Sequence, residues 1–557
     1  MCGIFGLLGK DYNLSDTLKY FETIRPRGPD RSKIIYTNDY FLGFHRLAIN
    51  GLDFNSDQPF IHINDNKTYI ILVNGEIYNS KDLIKKYNLN VHCDSDCAVI
   101  YPLFKHFNYD FKELNKCLNG EYAISIIEFI NDKYNKVYLS TDPSSVRPLF
   151  YSITKQYFSF SSLLAGLCNN KELYNIQRLD QGKYLIYDFN NENCLYENYH
   201  EKIVNFENNN NHNLDNISKQ IVKVLNDCII RRLQSDRPIG CLLSGGLDSS
   251  LVCALTAKHF HERYPDRKLR TFSIGMEKGT DIKYAEMVAN HLNNLYNNID
   301  HTTIYFTPEE GLDVIDNVLQ VTETWDITTV RASVGQYLLG KYISQNTDIK
   351  VILNGDGADE AQMGYLYFYN YPDLKSAQED HYRLLDNIHY FDGLRVDRNI
   401  SYHGLEARVP FLDKEFVDLF RSLESSLKVP TKDKIEKYLI RKSFELYEPN
   451  LLPHDVLWRK KEAFSDGVSS KEKSWFQIIK DYMDMEVGWH EFEVDKDMYH
   501  IEPKSKESYY YLKKFYDKFN GIFNVIPYYW LPKWSGDLQE PSARVLNVYE
   551  TTLMLKK

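Results

Sequence analysis

Cys241-Leu-Leu-Ser-Gly-Gly-Leu-Asp-Ser-Ser250 decides the architecture of the second half of this chain. The apolar run 239–243 reads as a strand, Ser244-Gly245-Gly246 as a turn, and a helix opens near Asp248-Ser249-Ser250. Glycines let backbone N–H groups approach an anion closely. Serine hydroxyls and the free N–H groups of a helix start add donors where the helix dipole favours negative charge. The segment reads as a phosphate or pyrophosphate cradle. It lacks the G-x-x-x-x-G-K-[ST] spacing of a Walker A loop. A bare Gly-Gly turn with Ser and Asp as helix caps would need no ligand, but the full string directly after a strand argues against that reading.

Downstream, helix-like 251–259 is followed by a strand at 270–274, a helix at 284–292 and a strand at 350–353. This alternation predicts a parallel α/β sheet, whose ligands sit at the carboxyl ends of the strands. The last strand runs into Asn354-Gly-Asp-Gly-Ala-Asp-Glu360. Three carboxylates in that turn suit Mg²⁺ or acid/base work; alone, it could be an Asx turn and a helix cap. Upstream, apolar spacing predicts a helix over 217–233. Segment 206–213, with Asn208 to Asn211 unbroken, reads as a linker. Before it, β-branched and aromatic runs at 34–36, 69–73, 122–127 and 136–139 predict a strand-rich domain. The tail 508–557, rich in Tyr, Trp and Pro, reads as irregular structure. The expected organisation is a first domain over 1–205, a linker over 206–213 and a second domain over 214–557.

Composition narrows the class. The chain has 557 residues, 43% hydrophobic and 26% charged, with net charge −11. That length suits at least two domains, and the acidic balance argues against a large basic nucleic-acid surface. Nine cysteines, scattered between Cys2 and Cys253, do not form a disulfide framework and point to a reducing compartment. No apolar run approaches the ~20 residues of a membrane span, and the N-terminus lacks a basic n-region. A cytoplasmic address and no membrane or nucleic-acid partner are expected. His92, Cys93, Asp94, Asp96 and Cys97 invite a zinc reading, but a single Cys-x₃-Cys without a second pair is weak, and it is rejected.

Cys2 lies directly behind Met1, before Gly-Ile-Phe-Gly6. Removal of the initiator would expose a free α-amine titrating near pH ~8, which can serve as base for its own thiol. Asn74-Gly-Glu-Ile-Tyr-Asn79 follows an apolar strand. A carboxamide and a glycine N–H can form a two-donor oxyanion hole. By itself Asn-Gly is a hairpin signal; its combination with Cys2 favours catalysis.

Together these strings resemble glutamine-dependent asparagine synthetases, over nearly the whole chain. Added to those above are Arg25-Pro-Arg-Gly-Pro-Asp30, His45-Arg-Leu47, Ser95-Asp96 and Glu323-Thr-Trp-Asp-Ile-Thr-Thr-Val-Arg-Ala-Ser333. Gly404-Leu-Glu-Ala-Arg-Val-Pro-Phe-Leu-Asp413, Trp458-Arg-Lys-Lys-Glu-Ala-Phe-Ser-Asp-Gly467 and Pro541-Ser-Ala-Arg544 complete the set. The resemblance implies an N-terminal αββα sandwich of the N-terminal-nucleophile (Ntn) hydrolase type and a C-terminal α/β parallel-sheet PP-loop domain, adenine nucleotide α-hydrolase-like. It implies glutamine hydrolysis in the first, passage of ammonia through an internal tunnel, and activation of L-aspartate by ATP and Mg²⁺ in the second. β-Aspartyl-AMP and pyrophosphate form, and ammonia displaces AMP to give asparagine. A homodimer is compatible with the resemblance.

By the same resemblance, Cys2 is the nucleophile and Asn74 and Gly75 bind the oxyanion. Arg46 holds the glutamine carboxylate and Asp96 its amine, with Ile49, Asn50 and Glu76 alongside. Leu243, Ser244, Gly245, Gly246, Asp248, Ser249, Ile274, Asn354 and Gly355 contact ATP. Asp248 and Asp359 hold Mg²⁺, and Arg331 and Lys461 neutralise developing charge. Asp356 stands where the family usually has Glu, in a loop usually read Ser-Gly-Glu-Gly; it keeps the charge and loses ~1.5 Å of reach. A Glu restored there is expected to leave activity equal or higher. Ser145 replaces a usual Gly, and Leu163 a usual Glu. A related amidotransferase acting on another carboxylate, or a weakly active binding homologue, are the alternatives.

Overall fold

The computed structural model describes residues 1–206, 213–469, 473–521, 526–536 and 541. In strand Lys67–Ile77, Tyr69, Ile71 and Val73 point one way, Ile70 and Leu72 the other, and all are buried. A strand apolar on both faces needs cover on both. Ile70 and Leu72 face a second sheet through Ile4, Leu8, Leu42 and Phe44. Tyr69, Ile71 and Val73 pack beneath helices Ser80–Tyr87, Ile100–His106 and Phe111–Cys117, through Leu83, Leu103, Phe104 and Leu114. On the far side, helix Leu14–Glu22 sets Phe21 against Phe5, Leu7 and Phe41. The result is the expected αββα sandwich of two six-stranded antiparallel sheets. Gly3–Leu8 is interior to one, flanked by Tyr40–Arg46 and Phe158–Ser161; Lys67–Ile77 is interior to the other, flanked by Phe60–Asn64 and Gly120–Ile130.

The second domain is built on a five-stranded parallel sheet ordered Ile299–Tyr305, Leu269–Gly275, Ile239–Leu242, Val351–Leu353, Glu406–Arg408. The chain starts in the middle strand, winds outward to one edge, then returns to wind to the other. Strand order therefore reverses between Ile239–Leu242 and Val351–Leu353, where the loops diverge and leave a crevice. The two Gly-rich loops follow those two strands.

The first domain closes the open edge of this sheet. Leu405 O, Ala407 O and Val409 N point away from the paired strand. They are met by the Met1 ammonium at 3.5 Å, Arg147 Nη2 at 2.7 Å and Glu121 Oε1 at 3.1 Å. The charges are paired in turn. Glu121 takes Arg147 at 2.8 Å and Arg232 at 2.9 Å, Arg232 reaches Asp413 at 2.6 Å, and Asp397 takes Arg27 at 2.7 Å and Arg147 at 3.3 Å. Every side chain in this lattice is at most 1% exposed. Glu323 adds a strut, accepting Leu164 N at 2.9 Å and Ala165 N at 2.7 Å and pairing with Arg398.

Other expectations resolve simply. The helix predicted at 217–233 is Leu214–Arg232, capped by Asn213, whose side chain accepts from Asn216 N. Residues 207–212 of the linker lie outside the described residues. The tail is corrected in part: Lys506–Lys518 is a helix with Tyr509, Tyr511, Leu512 and Phe515 buried. Tyrosines, poor helix formers by propensity, carry its apolar face and mask the helical spacing. Ser145 adopts φ +48°, the left-handed conformation that suits the usual Gly. The turn holds because the Asp142 carboxylate accepts from Ser144 N, Val146 N and Arg147 N at 3.0, 3.1 and 3.2 Å. Among the described residues no helix is long and apolar enough to cross a membrane.

Removing one partner from a buried ion lattice strands the others. Glu121→Gln should destabilise the joined domains by about 3–5 kcal/mol, read as a lower first transition in a thermal scan; an unchanged scan would show that the lattice contributes nothing.

Candidate active sites

Cys2 opens strand Gly3–Leu8, whose register sets Gly3 opposite His45 and so brings the thiol beside Arg46. The Cys2 side chain is half-buried, with Sγ 3.6 Å from Leu47 O. Burial pushes its pKa up, and the neighbouring ammonium and Arg46 pull it down. Met1 is 1% exposed, and burial lowers its ammonium to about 6. With Met1 attached, the Cys2 nitrogen is a peptide nitrogen and cannot act as a base.

Asn74 is wholly buried, and both its Nδ2 and Oδ1 lack a partner among the described residues. A buried carboxamide left unmatched costs about 1–3 kcal/mol, so it is ready for a ligand. Gly75 has φ +150°, and a Cβ there would lie 2.1 Å from Glu121 O. Beneath it, the Cys97 thiol donates to Gly75 O at 3.4 Å.

The remaining residues of this site are more heavily engaged than the sequence suggests. Arg46 is bonded to Asp57 and to the carbonyls of Asp53 and Asn50, at 2.9 and 3.3 Å, and Gly51. Asp57, absent from every string above, balances its charge. Asn50 Nδ2 donates to Glu76, which also faces Arg408 at 3.3 Å. Asp96 accepts Ile77 N at 2.5 Å, yet burial raises its pKa to about 6. Burial, then Asp96, raises Glu76 well above the usual carboxylate range. Ile49 turns into the apolar cluster of the second domain instead, packing with Leu47 and Ile221.

The second site is the crevice at the strand reversal. Leu243, Ser244, Gly246, Asp248, Ser249, Ile274, Asn354 and Gly355 line it, together with Arg331, Asp356, Asp359 and Lys461. Gly245 carries the turn at φ +82°, where a Cβ would meet Ala285 N at 2.5 Å; its carbonyl accepts Arg459 Nη1 at 3.0 Å. Ser244 Oγ and Ser249 Oγ stand 2.8 Å apart across the loop. Gly355 brings the second loop so close that a Cβ would lie 2.6 Å from Ser249 N. The two loops thus form one wall.

Lys437 joins them. Its Nζ lies 2.5 Å from Asp248 Oδ2 and 2.6 Å from Asp359 Oδ1, with its side chain 3% exposed. Burial pulls its pKa down, but the two carboxylates more than offset this and hold it above the usual lysine value. Against burial, Lys437 and Lys461, the latter 2.5 Å from Oδ2, hold Asp359 well below the usual range. Lys437 sits at φ +57°, rare for a branched-free polar residue outside Asn and Asp. That conformation, in a run with no glycine signal, gave no mark in the sequence. Among the described residues Asp248 Oδ1 is buried without a hydrogen-bond partner. Two facing carboxylates beside a phosphate cradle fit Mg²⁺, which takes one or two protein carboxylates plus substrate phosphates. Among the described residues no three His, Cys, Asp or Glu converge into a metal cage.

Arg331 is held by Glu507 of the tail helix, Nε to Oε1 at 2.8 Å. Asp356 is gripped by Arg395, Gln336 and Asn354. Tyr528, Trp530, Pro532 and Pro541 also line the crevice, so the tail is part of this site.

A thiol centre in an αββα domain, joined to a nucleotide crevice in a parallel α/β domain, defines a two-part amidotransferase. Residues 1–220 match the family model described as glutamine amidotransferase domain, and 220–385 and 372–521 match asparagine synthase. The glutamine-hydrolysing asparagine synthetase of Bos taurus is 37% identical over 99% of both chains. That of Gallus gallus is 37% identical over 99% of this chain and 100% of its own, and that of Homo sapiens 36% over the same shares. The chain belongs to the glutamine-hydrolysing asparagine synthetase family.

Cys2→Ala should abolish glutamine hydrolysis and leave ammonium-dependent synthesis intact; loss of both would sink the assignment of separate sites. Intact mass of the same wild-type preparation should lack Met1.

Proposed function

We propose that the chain makes L-asparagine from L-aspartate, ATP and glutamine. The observation that carries this reading is the crevice wall, in which the phosphate cradle and the acidic loop touch backbone to backbone at Gly355. One carboxylate, Asp356, sits there beside the place for the triphosphate.

In the first domain the Cys2 thiolate attacks the glutamine carboxamide carbon, ammonia departs, and water hydrolyses the thioester to glutamate. Asn74 Nδ2 and the Gly75 N–H donate to the oxyanion. Asp96, once ionised, receives the substrate ammonium, and Arg46 its carboxylate. In the second domain an oxygen of the aspartate β-carboxylate attacks the α-phosphorus and pyrophosphate leaves. Ammonia then attacks the acyl carbon, and AMP leaves. Ser244, Gly246 and Ser249 supply donors to the phosphates, and Lys437, Lys461 and Arg331 supply positive charge. Asp248 and Asp359 would hold Mg²⁺, which supplies charge neutralisation on the phosphates when bound. Met1 lies against Leu405, Leu405 leads into edge strand Glu406–Arg408, and the next strand carries the loop with Asp356. We assign the domains to 1–205 and 214–557, with cytoplasmic location and a homodimer compatible with the family.

Aspartate-dependent pyrophosphate release from ATP should occur with either glutamine or ammonium, with asparagine as product. Asp248→Ala should remove pyrophosphate release while glutamine hydrolysis survives. Pyrophosphate that aspartate fails to stimulate would point to another carboxylate substrate.

A further inference from the structure

Asp356 Oδ2 accepts from two carboxamides, Gln336 Nε2 at 2.8 Å and Asn354 Nδ2 at 2.9 Å. Its Oδ1 takes the Arg395 guanidinium. Asn354 works at both ends of the loop, because its Oδ1 also accepts Asp356 N at 2.7 Å. A serine at 354 would offer a single oxygen, one atom nearer the backbone, and could not span both contacts as the carboxamide does. Gln336 comes from helix Ile327–Asn346, which turns Thr328, Arg331, Ala332 and Gln336 to the crevice at helical spacing. It is 5% exposed. Committing Nε2 to a carboxylate fixes the amide orientation, since the reverse would set oxygen against oxygen. Among the described residues Gln336 Oε1 is buried without a partner, an acceptor on the crevice wall.

We propose that Gln336 and the side chain of Asn354 are positioning residues for Asp356, and that the pocket is built around the shorter carboxylate. This rests on the reading of Asp356 as the acid beside the reacting group. The departures at 354 and 356 are then one coupled change. An added methylene would shift the carboxylate ~1.5 Å from the position at which Gln336, Asn354 and Arg395 hold it. The structure thus reverses the expectation that a Glu at 356 is harmless.

The test compares full-length wild type with D356E, N354S, N354S/D356E and Q336M in ammonium-dependent asparagine formation and aspartate-dependent ATP–pyrophosphate exchange. D356E should lower kcat by roughly 10- to 100-fold with the KM for ATP little changed. N354S/D356E should regain at least about tenfold over D356E, a non-additive coupling. Q336M should lower kcat in the wild-type background and leave the ATP KM alone. Glutamine hydrolysis in the other domain reports folding, and if the double variant loses it, Q336M and D356E decide the matter. D356E at or above wild type, effects at 354 and 356 that simply multiply, or a Q336M whose kcat is unchanged would overturn the proposal. Asp356→Ala separates the layers: full activity removes the parent reading as well, whereas inactivity with multiplying effects removes the positioning role alone.

Discussion

The molecule depends on how one sheet edge is closed. Strand Glu406–Arg408 ends a parallel sheet, and its outward carbonyls and N–H would template another strand or demand water. Here Arg147 and Glu121 of the sandwich satisfy Ala407 O and Val409 N, and the Met1 ammonium meets Leu405 O while the initiator is in place. Such a closure works at one relative position of the domains. Arg147 and Glu121 are themselves charges out of water, so each needs further partners, and Asp397, Arg27, Arg232 and Asp413 are recruited in turn. What begins as the satisfaction of three backbone groups ends as an ion lattice that locks two domains together.

This closure also brings the two chemistries near each other. In the proposed mechanism the α-amine of Cys2 is the base for its own thiol, which ties the thiol to the start of its strand. The N-terminus is therefore forced to the end of the sandwich, and that end is the one that caps the edge strand. On the other side of the strand lies Val351–Leu353, whose loop faces the phosphate cradle. Burial raises the Asp356 carboxyl above its usual range, and Arg395 offsets this only in part.

Much of this was legible because Gly-rich turns at strand ends have few uses. The cradle at 244–249 and the loop at 354–359 stand where alternation placed them, and the runs at 69–73 and 122–127 are strands as expected, in the sandwich that the family resemblance implied. The strings Arg25 to Asp30 and Gly404 to Asp413 carried resemblance without chemistry; both lie at the domain interface, where Arg27 pairs with Asp397 and Ala407 O accepts from Arg147. Lys437, Gln336 and Arg395 were not legible. Each sits on or beside an ordinary helix, and what makes it part of the site is a partner far along the chain: Asp248 for Lys437, Asp356 for the others. Pairings of that kind leave no local period to read. The helix Lys506–Lys518 was legible in principle but disguised by its tyrosines.

The departures from the family pattern at 145, 163 and 354/356 differ in kind, and the difference says where this chain has diverged. Ser145 takes the left-handed backbone of the glycine it replaces, at a cost of about 1–2 kcal/mol, because Asp142 holds the turn by three backbone N–H groups whatever residue 145 is. Leu163 loses a carboxylate, but the strut across the interface there runs from Glu323 to the backbone N–H of Leu164 and Ala165, which a side-chain change at 163 does not touch. Both departures leave the coupling of the domains intact, since the groups that carry it are backbone atoms and charges elsewhere. Asp356 is unlike them, because its own side-chain oxygens are what Gln336, Asn354 and Arg395 hold, and moving them changes what they can reach. Only there does the surrounding pocket answer, with a carboxamide at 354 and another at 336 drawn onto the shortened arm. Divergence is thus absorbed silently at the interface and by reconstruction at the crevice.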